Sequence, residues 1–461
     1  MSDIFQTEPS SFRDPSGFLF FKDNVFYRQI NNSYKNHFDK LIDSGLYDEL
    51  VSKNLLLPHS EVNIVPIEPE ICYKIIQPKK LDFISYPYEW SFSQLKDAAL
   101  ITLQIQKIAM DFGMTLKDGV SYNIQFLEGK PILIDSLSFE IYSEGDVWRP
   151  YQQFCQHFLA PLTLMAYQDI RLNKLLYLFI DGLPLDLVSK LLPFSTKTSF
   201  GLMSHIHMHS KSQKKHESDR EQKQPKMKKL SLIGIIDNLS NTIKKLSWSP
   251  KDTEWANYYS DTNYSDVAFI QKKEILSNFL DKHKPHEIWD IGGNDGTFSR
   301  LASDKSIPTI SFDIDPAAIE KSYLKLKESQ ETNILPLILD LTNPSPGIGW
   351  ENIERKSFIS RGPTDSVFAL ALIHHLAISN NLPFDKISSF FSKICKHLII
   401  EFVPKSDSQV QRLLSTRIDI YDNYTQQIFE KIFSKYFEIL EIFPIKESER
   451  VIYIMQSKFR H

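Results

Sequence analysis

The chain has 461 residues, 42% of them apolar and 24% charged, which is too long for one ordinary core and points to a folded protein of two or three domains. A formal net charge of −4 makes no overall electrostatic case for nucleic-acid binding. Three cysteines, Cys72, Cys155 and Cys395, lie far apart with no CxxC spacing, which argues against a disulfide framework or a structural zinc site, so no metal is expected from them.

The N-terminal stretch "MSDIFQTEPSSFRD" is charged and lacks the apolar run of a signal peptide. No uncharged apolar segment reaches the roughly 18–20 residues of a membrane span. A reducing, cytoplasmic setting without a membrane partner is therefore expected. "DPSGFLFFKDNVFYR" (14–28) reads as a hairpin with a single glycine, and "FISYPYEWSF" (83–92) as a connector before the helix "LKDAALITLQIQKIAM" (95–110). The "DFG" that follows is the glycine stop of that helix.

Beyond it, Asp118 and Asn123 stand five residues apart, followed by a strand, a turn at Glu128-Gly129, a second strand and Ile134-Asp135. This spacing resembles kinase-like phosphotransferases, which place a catalytic Asp, an Asn five residues on and a metal-binding Asp after a hairpin. The resemblance implies an α+β, kinase-like N-terminal domain in which Asp118, Asn123 and Asp135 would hold magnesium and orient a hydroxyl. There are departures. No glycine-rich loop is present, and Leu116-Lys117 precede Asp118 where that family has a His. No VAIK-like lysine is evident, although Lys74 lies in an apolar strand and Arg28 follows "VFY". The alternative is an α+β domain in which Asp118 and Asn123 build a turn.

In "HIHMH" the alternating His205, His207 and His209 would share one face of a strand and could meet a metal, though no carboxylate or cysteine cluster accompanies them. Between Lys211 and Lys229, eight Lys/Arg and three acids stand with almost nothing apolar, so a solvated basic linker is expected. The domains are accordingly read as 1–204, a linker at 205–230, and 231–461. "LIGIIDNLSNTIKKL" (232–246) reads as an amphipathic helix. From residue 266 a regular alternation begins, with strands at 286–291, 308–313, "NILPLILDL", "DSVFALAL" and "HLIIEFV" and helices between them. That predicts an α/β, doubly wound Rossmann-like parallel sheet. "FEILEIFPI" and "RVIYIMQS", joined only by "KESE", should close it as an antiparallel hairpin.

The first strand runs into "EIWDIGGNDGTFSR" (287–300). Neither register of its glycines meets the 1, 3, 6 spacing of a dinucleotide fingerprint, and no GK[ST] follows for a Walker loop. What stands there is Asp290-x-Gly292-x-Asn294-x-Gly296, with Gly293 between. This resembles motif I of class I S-adenosylmethionine-dependent methyltransferases, DxGxGxG, with Asn at the middle glycine. Asn tolerates positive φ, so the exchange is mild. Asp313 ends the second strand, where a carboxylate can accept both ribose hydroxyls. "FDIDPAAI", with Ile314, Asp315 and Pro316, resembles the family's second motif. By the same resemblance Asp340 or Leu341 would meet the adenine edge, and "ALALIHHLAI" matches the fourth-strand motif. Plainer roles also exist: Asp290 as a turn cap, Asp315 as a helix N-cap, and His374 and His375 as satisfied polar groups at a helix start.

Methyl transfer needs alignment, exclusion of water and, where required, removal of the acceptor's proton. Candidates for the last are His374, His375 and Glu401, at the carboxyl ends of strands four and five. Trp255, Tyr258 and Tyr264 in "TEWANYYSDTNY" could form a lid over the cofactor, where aromatic faces favour a sulfonium, or could simply pack the domain. With "YPYEWSF", "LKDGVSYNIQF", "IDSLSFE" and "TEWANYY", most of the chain resembles a two-domain bacterial family of nodulation-type methyltransferases. The resemblance implies S-adenosylmethionine as cofactor and methyl transfer to an acceptor it does not name. Two adjacent histidines suit deprotonation of a hydroxyl, so a small-molecule or glycan hydroxyl is slightly favoured as the partner over a protein or N-linked acceptor, and nucleic acid is not expected. The competing expectations are a non-catalytic nucleotide-binding scaffold, or a bifunctional protein with a phosphotransferase N-terminal half.

Overall fold

The computed structural model describes residues 5–23, 25–209, 226–250, 265–415 and 418–459. Contacts divide the chain into two compact units, Met1–Ser249 with Gly347–Arg355, and Pro250–Pro346 with Lys356–His461.

The first unit is built on an antiparallel sheet of β1 (Phe5–Thr7), β2 (Gly17–Lys22), β3 (Val25–Asn31), β4 (His59–Val62) and β5 (Cys72–Pro78), in the spatial order β1-β2-β3-β5-β4. Helices α1 (Lys35–Asp43) and α2 (Leu46–Ser52) lie between β3 and β4 in the chain. Phe38 of α1 packs with Ile30, Tyr34, Ile76 and Leu137 in a local core. A 20-residue helix, α3 (Phe92–Asp111), starts where the Ser91 and Gln94 side chains cap each other's backbone N–H. It ends at Gly113, whose φ of +73° is the expected helix stop. Short strands follow: β6 (Met114–Leu116) pairs with β9 (Phe139–Ile141), and β7 (Ile124–Leu127) pairs with β8 (Lys130–Leu133) across Glu128-Gly129.

The helix read at 232–246 is α4 (Lys229–Lys245), and it lies with the first unit. Asp237 of α4 takes the Lys107 ammonium of α3 at 2.7 Å, and the carbonyls of Lys244 and Leu246 accept from Lys96 at 2.9 and 2.7 Å. The division therefore falls at Ser249, not at 230, because the apolar stripe of α4 (Leu232, Ile236, Leu239, Ile243) is buried against its own N-terminal side. Most of the expected linker lies outside the described residues.

The second unit holds a seven-stranded sheet. Its strands are β10 (Ile288–Ile291), β11 (Thr309–Asp313), β12 (Ile334–Ile338), β13 (Thr364–Ala369), β14 (Cys395–Phe402), β15 (Phe437–Pro444) and β16 (Val451–Ser457), in the order β12-β11-β10-β13-β14-β16-β15. The first five pair in parallel, and β16 is antiparallel to both neighbours, so the closing hairpin stands as expected. Strand β10 is buried at every residue, as a sheet covered on both faces requires. Helix α5 (Asp266–His283), N-capped by Ser265, lays Ala268, Ile275, Leu276 and Phe279 on the core formed with Ile288, Phe368, Ile399 and Ile454. The strand order reverses between β10 and β13, and in such sheets the crevice at the carboxyl ends beside that reversal is where ligands bind.

Candidate functional site

The chain leaves β10 through the glycine turn, and the turn is held from β11. The N–H groups of Gly292 and Gly293 both donate to the Phe312 carbonyl, at 2.8 and 2.9 Å. Gly292, Asn294 and Gly296 sit at φ of 81°, 49° and 80°, so Asn294 adopts the positive φ its place in the motif requires. Gly293 is needed for space: a Cβ there would stand 2.5 Å from Ser311 Oγ and 3.0 Å from Asp290 Oδ2. Helix α6 (Ser299–Ser303) follows, and Ser299 Oγ donates to Asp290 Oδ2 at 2.6 Å.

Asp313 closes β11 with Oδ2 accepting from Asn294 N–H and Oδ1 from Asp315 N–H, each at 2.9 Å. Burial pushes the Asp290 carboxyl up to about 7 against its hydrogen bond from Ser299, with the Asp313 charge adding to the rise. It lifts Asp313 to about 6 against the two N–H donors. Asp315 takes the plainer role: its side chain accepts from Ala317 N–H at 2.9 Å and caps α7 (Pro316–Ser329). Asp340 lies two residues past the end of β12 and accepts from Thr342 N–H and Oγ1.

These groups line one cleft. Asp290, Gly292, Gly293, Asn294, Asp313, Ile314, Asp340 and Leu341 all face it, while Gly296 lies outside its lining, close to Arg300 and Ser322. Of the three proposed bases, His375 alone lines the cleft. His374, its ring 4.2 Å from that of His375, is 2% exposed. Burial, then the charge of Arg450, lowers the His375 imidazole to about 4, and burial together with His375 lowers His374 well below the usual value.

Glu401 does not stand where a base would touch an acceptor, because it is fully buried behind the cleft. Its Oε2 accepts from Lys272 Nζ and from Ala371 N–H, both at 2.8 Å. Lys272 lines the cleft and was missed from sequence. The signal was a lysine on the buried stripe of α5, between Ala268 and Ile275. Burial lowers the Lys272 ammonium while Glu401 opposes that shift. Asn380, whose side chain donates to the His375 carbonyl at 2.9 Å, also lines the cleft and was not foreseen. Trp255, Tyr258 and Tyr264 lie outside the described residues.

In the first unit, Asp118, Asn123 and Asp135 fall near one another. Asn123 Nδ2 donates to Ser138 Oγ at 3.0 Å, and Ser138 Oγ donates to Asp135 Oδ2 at 2.9 Å. Asp135 Oδ1 is taken by Arg28 at 2.5 Å and by Leu137 N–H at 2.9 Å. Burial would raise the Asp135 carboxyl, but Arg28, Leu137 and Ser138 together hold it below the usual range. Asp118 is pushed up to about 6 by burial and then by Asp135. The guanidinium thus occupies the carboxylate that a magnesium ion would use. The "HIHMH" segment is a π-helical turn (Met203–Met208), not a strand. His205 bonds Tyr151 and Asn238, and His207 bonds Ser189 and Thr196, so both nitrogens of each ring are engaged within the protein. Among the described residues no group of three or more His, Cys, Asp or Glu side chains is arranged to hold a metal ion.

The sheet order, closing hairpin and glycine turn define the second unit as a class I methyltransferase fold. No protein-family model matches the chain. Over 455 residues the chain is 32% identical to nodulation protein NoeA of Rhizobium meliloti (strain 1021), covering 97% of this chain and 95% of that protein, and it belongs to the NoeA family. Solved structures similar to part of it include the PH0226 protein of Pyrococcus horikoshii OT3, at 18% identity and TM-score 0.32, spanning 44% of this chain and 99% of that one. Another is the magnesium protoporphyrin IX methyltransferase of Synechocystis PCC 6803 with bound S-adenosylhomocysteine, at 16% identity and TM-score 0.32, spanning 44% and 93%.

Proposed function

We propose that this protein is an S-adenosylmethionine-dependent methyltransferase whose cofactor occupies the cleft at the carboxyl ends of β10, β11 and β13. The observation that carries this is Asp313: a carboxylate on the cleft wall, at the end of the strand next to the glycine turn, where a ribose diol needs its acceptor. The turn belongs to the same cleft, since Gly292, Gly293 and Asn294 line it beside Asp313. Ile314 and Leu341 offer apolar surface to a base on the Asp313 side. When bound, the cofactor supplies a methyl group on a sulfonium, an already activated leaving group. The protein's part is to hold the two reactants in line and exclude water.

Of the three candidate bases His375 lines the cleft, and in this reading it takes the acceptor proton. With its conjugate acid near 4 it stands neutral at pH 7 and can accept a hydrogen bond from a hydroxyl. We therefore favour O-methylation of a small-molecule or glycan hydroxyl. For the first unit we propose a kinase-like fold, on the five-stranded sheet with helices between β3 and β4 and the convergence of Asp118, Asn123 and Asp135. We do not assign phosphoryl transfer to it, since Arg28 neutralises Asp135.

Calorimetric titration with S-adenosylmethionine and S-adenosylhomocysteine tests the cofactor, with binding expected for both. Absence of binding, or preference for NAD, would overturn the assignment. Binding without any label transferred from methyl-labelled cofactor to extract metabolites would favour a non-catalytic scaffold instead.

A further inference from the structure

We propose that Lys272 receives the carboxylate at the methionine end of the cofactor and that Glu401 is the positioning residue that holds it there. The inference rests on the cofactor assignment above. The cleft straddles β10. On one flank, toward β11 and β12, stand Asp313, Ile314 and Leu341, which suit a nucleoside. On the other flank, toward β13 and β14, stand Ala371 and Lys272, the latter bonded to Glu401 of β14. A ligand laid across the glycine turn with its nucleoside at Asp313 therefore brings its far end to Lys272.

That far end is an amino acid, and its carboxylate needs a donor of opposite charge. Among the described residues Lys272 is the only lysine or arginine that lines the cleft, whose other ionisable groups are Asp290, Asp313, Asp340 and the low-pKa His375. An ammonium carries three N–H donors and can serve a protein carboxylate and a ligand carboxylate at once. The lysine is 1% exposed, with its Nζ 5.1 Å from the centre of the Phe298 ring, so its position is set by packing as well as by charge. A charged hydrogen bond in such a place is stronger than on a surface.

Glu401 binds Lys272 and Ala371 N–H through the same oxygen. It thereby ties α5 to the turn that follows β13, each of which contributes a residue to the cleft lining. A buried carboxylate in this role fixes geometry and does not exchange protons with an acceptor.

The test compares two ligands that differ only at that end. S-adenosylhomocysteine has the amino-acid carboxylate, and 5′-methylthioadenosine keeps the nucleoside and thioether but lacks the amino acid. Because Lys272→Met alone would leave Glu401 buried with only the more distant Arg450 guanidinium, 3.9 Å from its Oε1, the variant is the double substitution Lys272→Met with Glu401→Gln, which keeps an oxygen for Ala371 N–H. Calorimetry should show affinity for S-adenosylhomocysteine falling roughly ten- to a hundredfold, with that for 5′-methylthioadenosine unchanged within about twofold. Glu401→Gln alone should give a smaller loss, again confined to the ligand with the carboxylate, which general loosening of the fold would not produce. Equal losses for both ligands, or no loss for either, would remove this inference while leaving the cofactor assignment standing. Failure of the unaltered protein to bind either ligand would remove both.

Discussion

Asp313 Oδ2 accepts the N–H of Asn294 at 2.9 Å, so the acid that ends β11 is also what holds the glycine turn of β10. One carboxylate thus orders the loop and lines the cleft, which makes its removal informative. Asp313→Ala should weaken S-adenosylhomocysteine binding by roughly ten- to a hundredfold, corresponding to about 1.5–3 kcal/mol for a charged hydrogen-bonding group. Calorimetric titration reads this directly, and a variant with native circular dichroism and unchanged affinity would place the ribose elsewhere.

The same residue predicts a pH dependence of binding. Burial holds Asp313 up to about 6, and the ionised carboxylate is the better acceptor of two hydroxyls. Affinity should therefore rise between about pH 5 and 7 and level off above. Asp313→Asn should bind more weakly at pH 7.5 and show no such rise from this site. A flat profile in the unaltered protein would contradict the role given to the charge.

Asp290 predicts a pH dependence of stability. Its folded value of about 7 lies above the ordinary aspartate value of 3.8, so the folded state binds the proton more tightly than the unfolded one. The resulting stability is fully present below about pH 4 and is lost as pH rises through about 7. At about 1.4 kcal/mol per unit the effect is on the order of a few kcal/mol. Asp290→Asn, which keeps an oxygen for Ser299, should flatten the decline seen by urea unfolding between pH 5 and 8. A variant that declines as steeply as the original would show that another group is responsible.

The two histidines should separate in their effects. His375→Ala should lower turnover by on the order of 10²–10⁴-fold with little change in cofactor affinity, as loss of a proton acceptor does. His374 is buried behind it, so His374→Ala should cost about 1–3 kcal/mol of stability and leave cofactor affinity near that of the original. Equal turnover in both variants and the original would end the base assignment without touching the cofactor site.

In the first unit, Arg28 and Asp135 stand 2.5 Å apart, their side chains 11% and 17% exposed. Arg28→Met should destabilise the protein by roughly 1.5–3 kcal/mol, and adding Asp135→Asn should recover part of that, because the second change removes the carboxylate left without its cation. Since Asp135 is held below the usual carboxylate range, the pair's contribution is present at neutral pH and is lost as pH falls through the folded value. Additive losses in the double variant would show that the two side chains do not stabilise each other.

The sequence by itself determined the second unit's architecture and most of its cleft. Alternating strands and helices of regular spacing dictate a parallel sheet. An acid at the end of β11 and glycines after β10 must then meet, because adjacent parallel strands bring their carboxyl ends to the same edge. Local features were equally legible, such as Asp315 capping α7 and Gly113 ending α3, since caps and stops depend on a few neighbouring residues. Only the tertiary structure decided the roles that depend on which face a side chain takes and what it meets from afar. Glu401 moved from base to buried partner because a residue 129 positions away supplies the ammonium it binds. His374 and His375, identical by motif, parted because the turn after β13 sends one ring to the cleft and buries the other. Asp135 came to Arg28 across 107 residues, so a spacing that resembles a metal site holds an ion pair. The helix α4 joined the first unit because burial of its apolar stripe, not the composition of the preceding segment, sets where a unit ends.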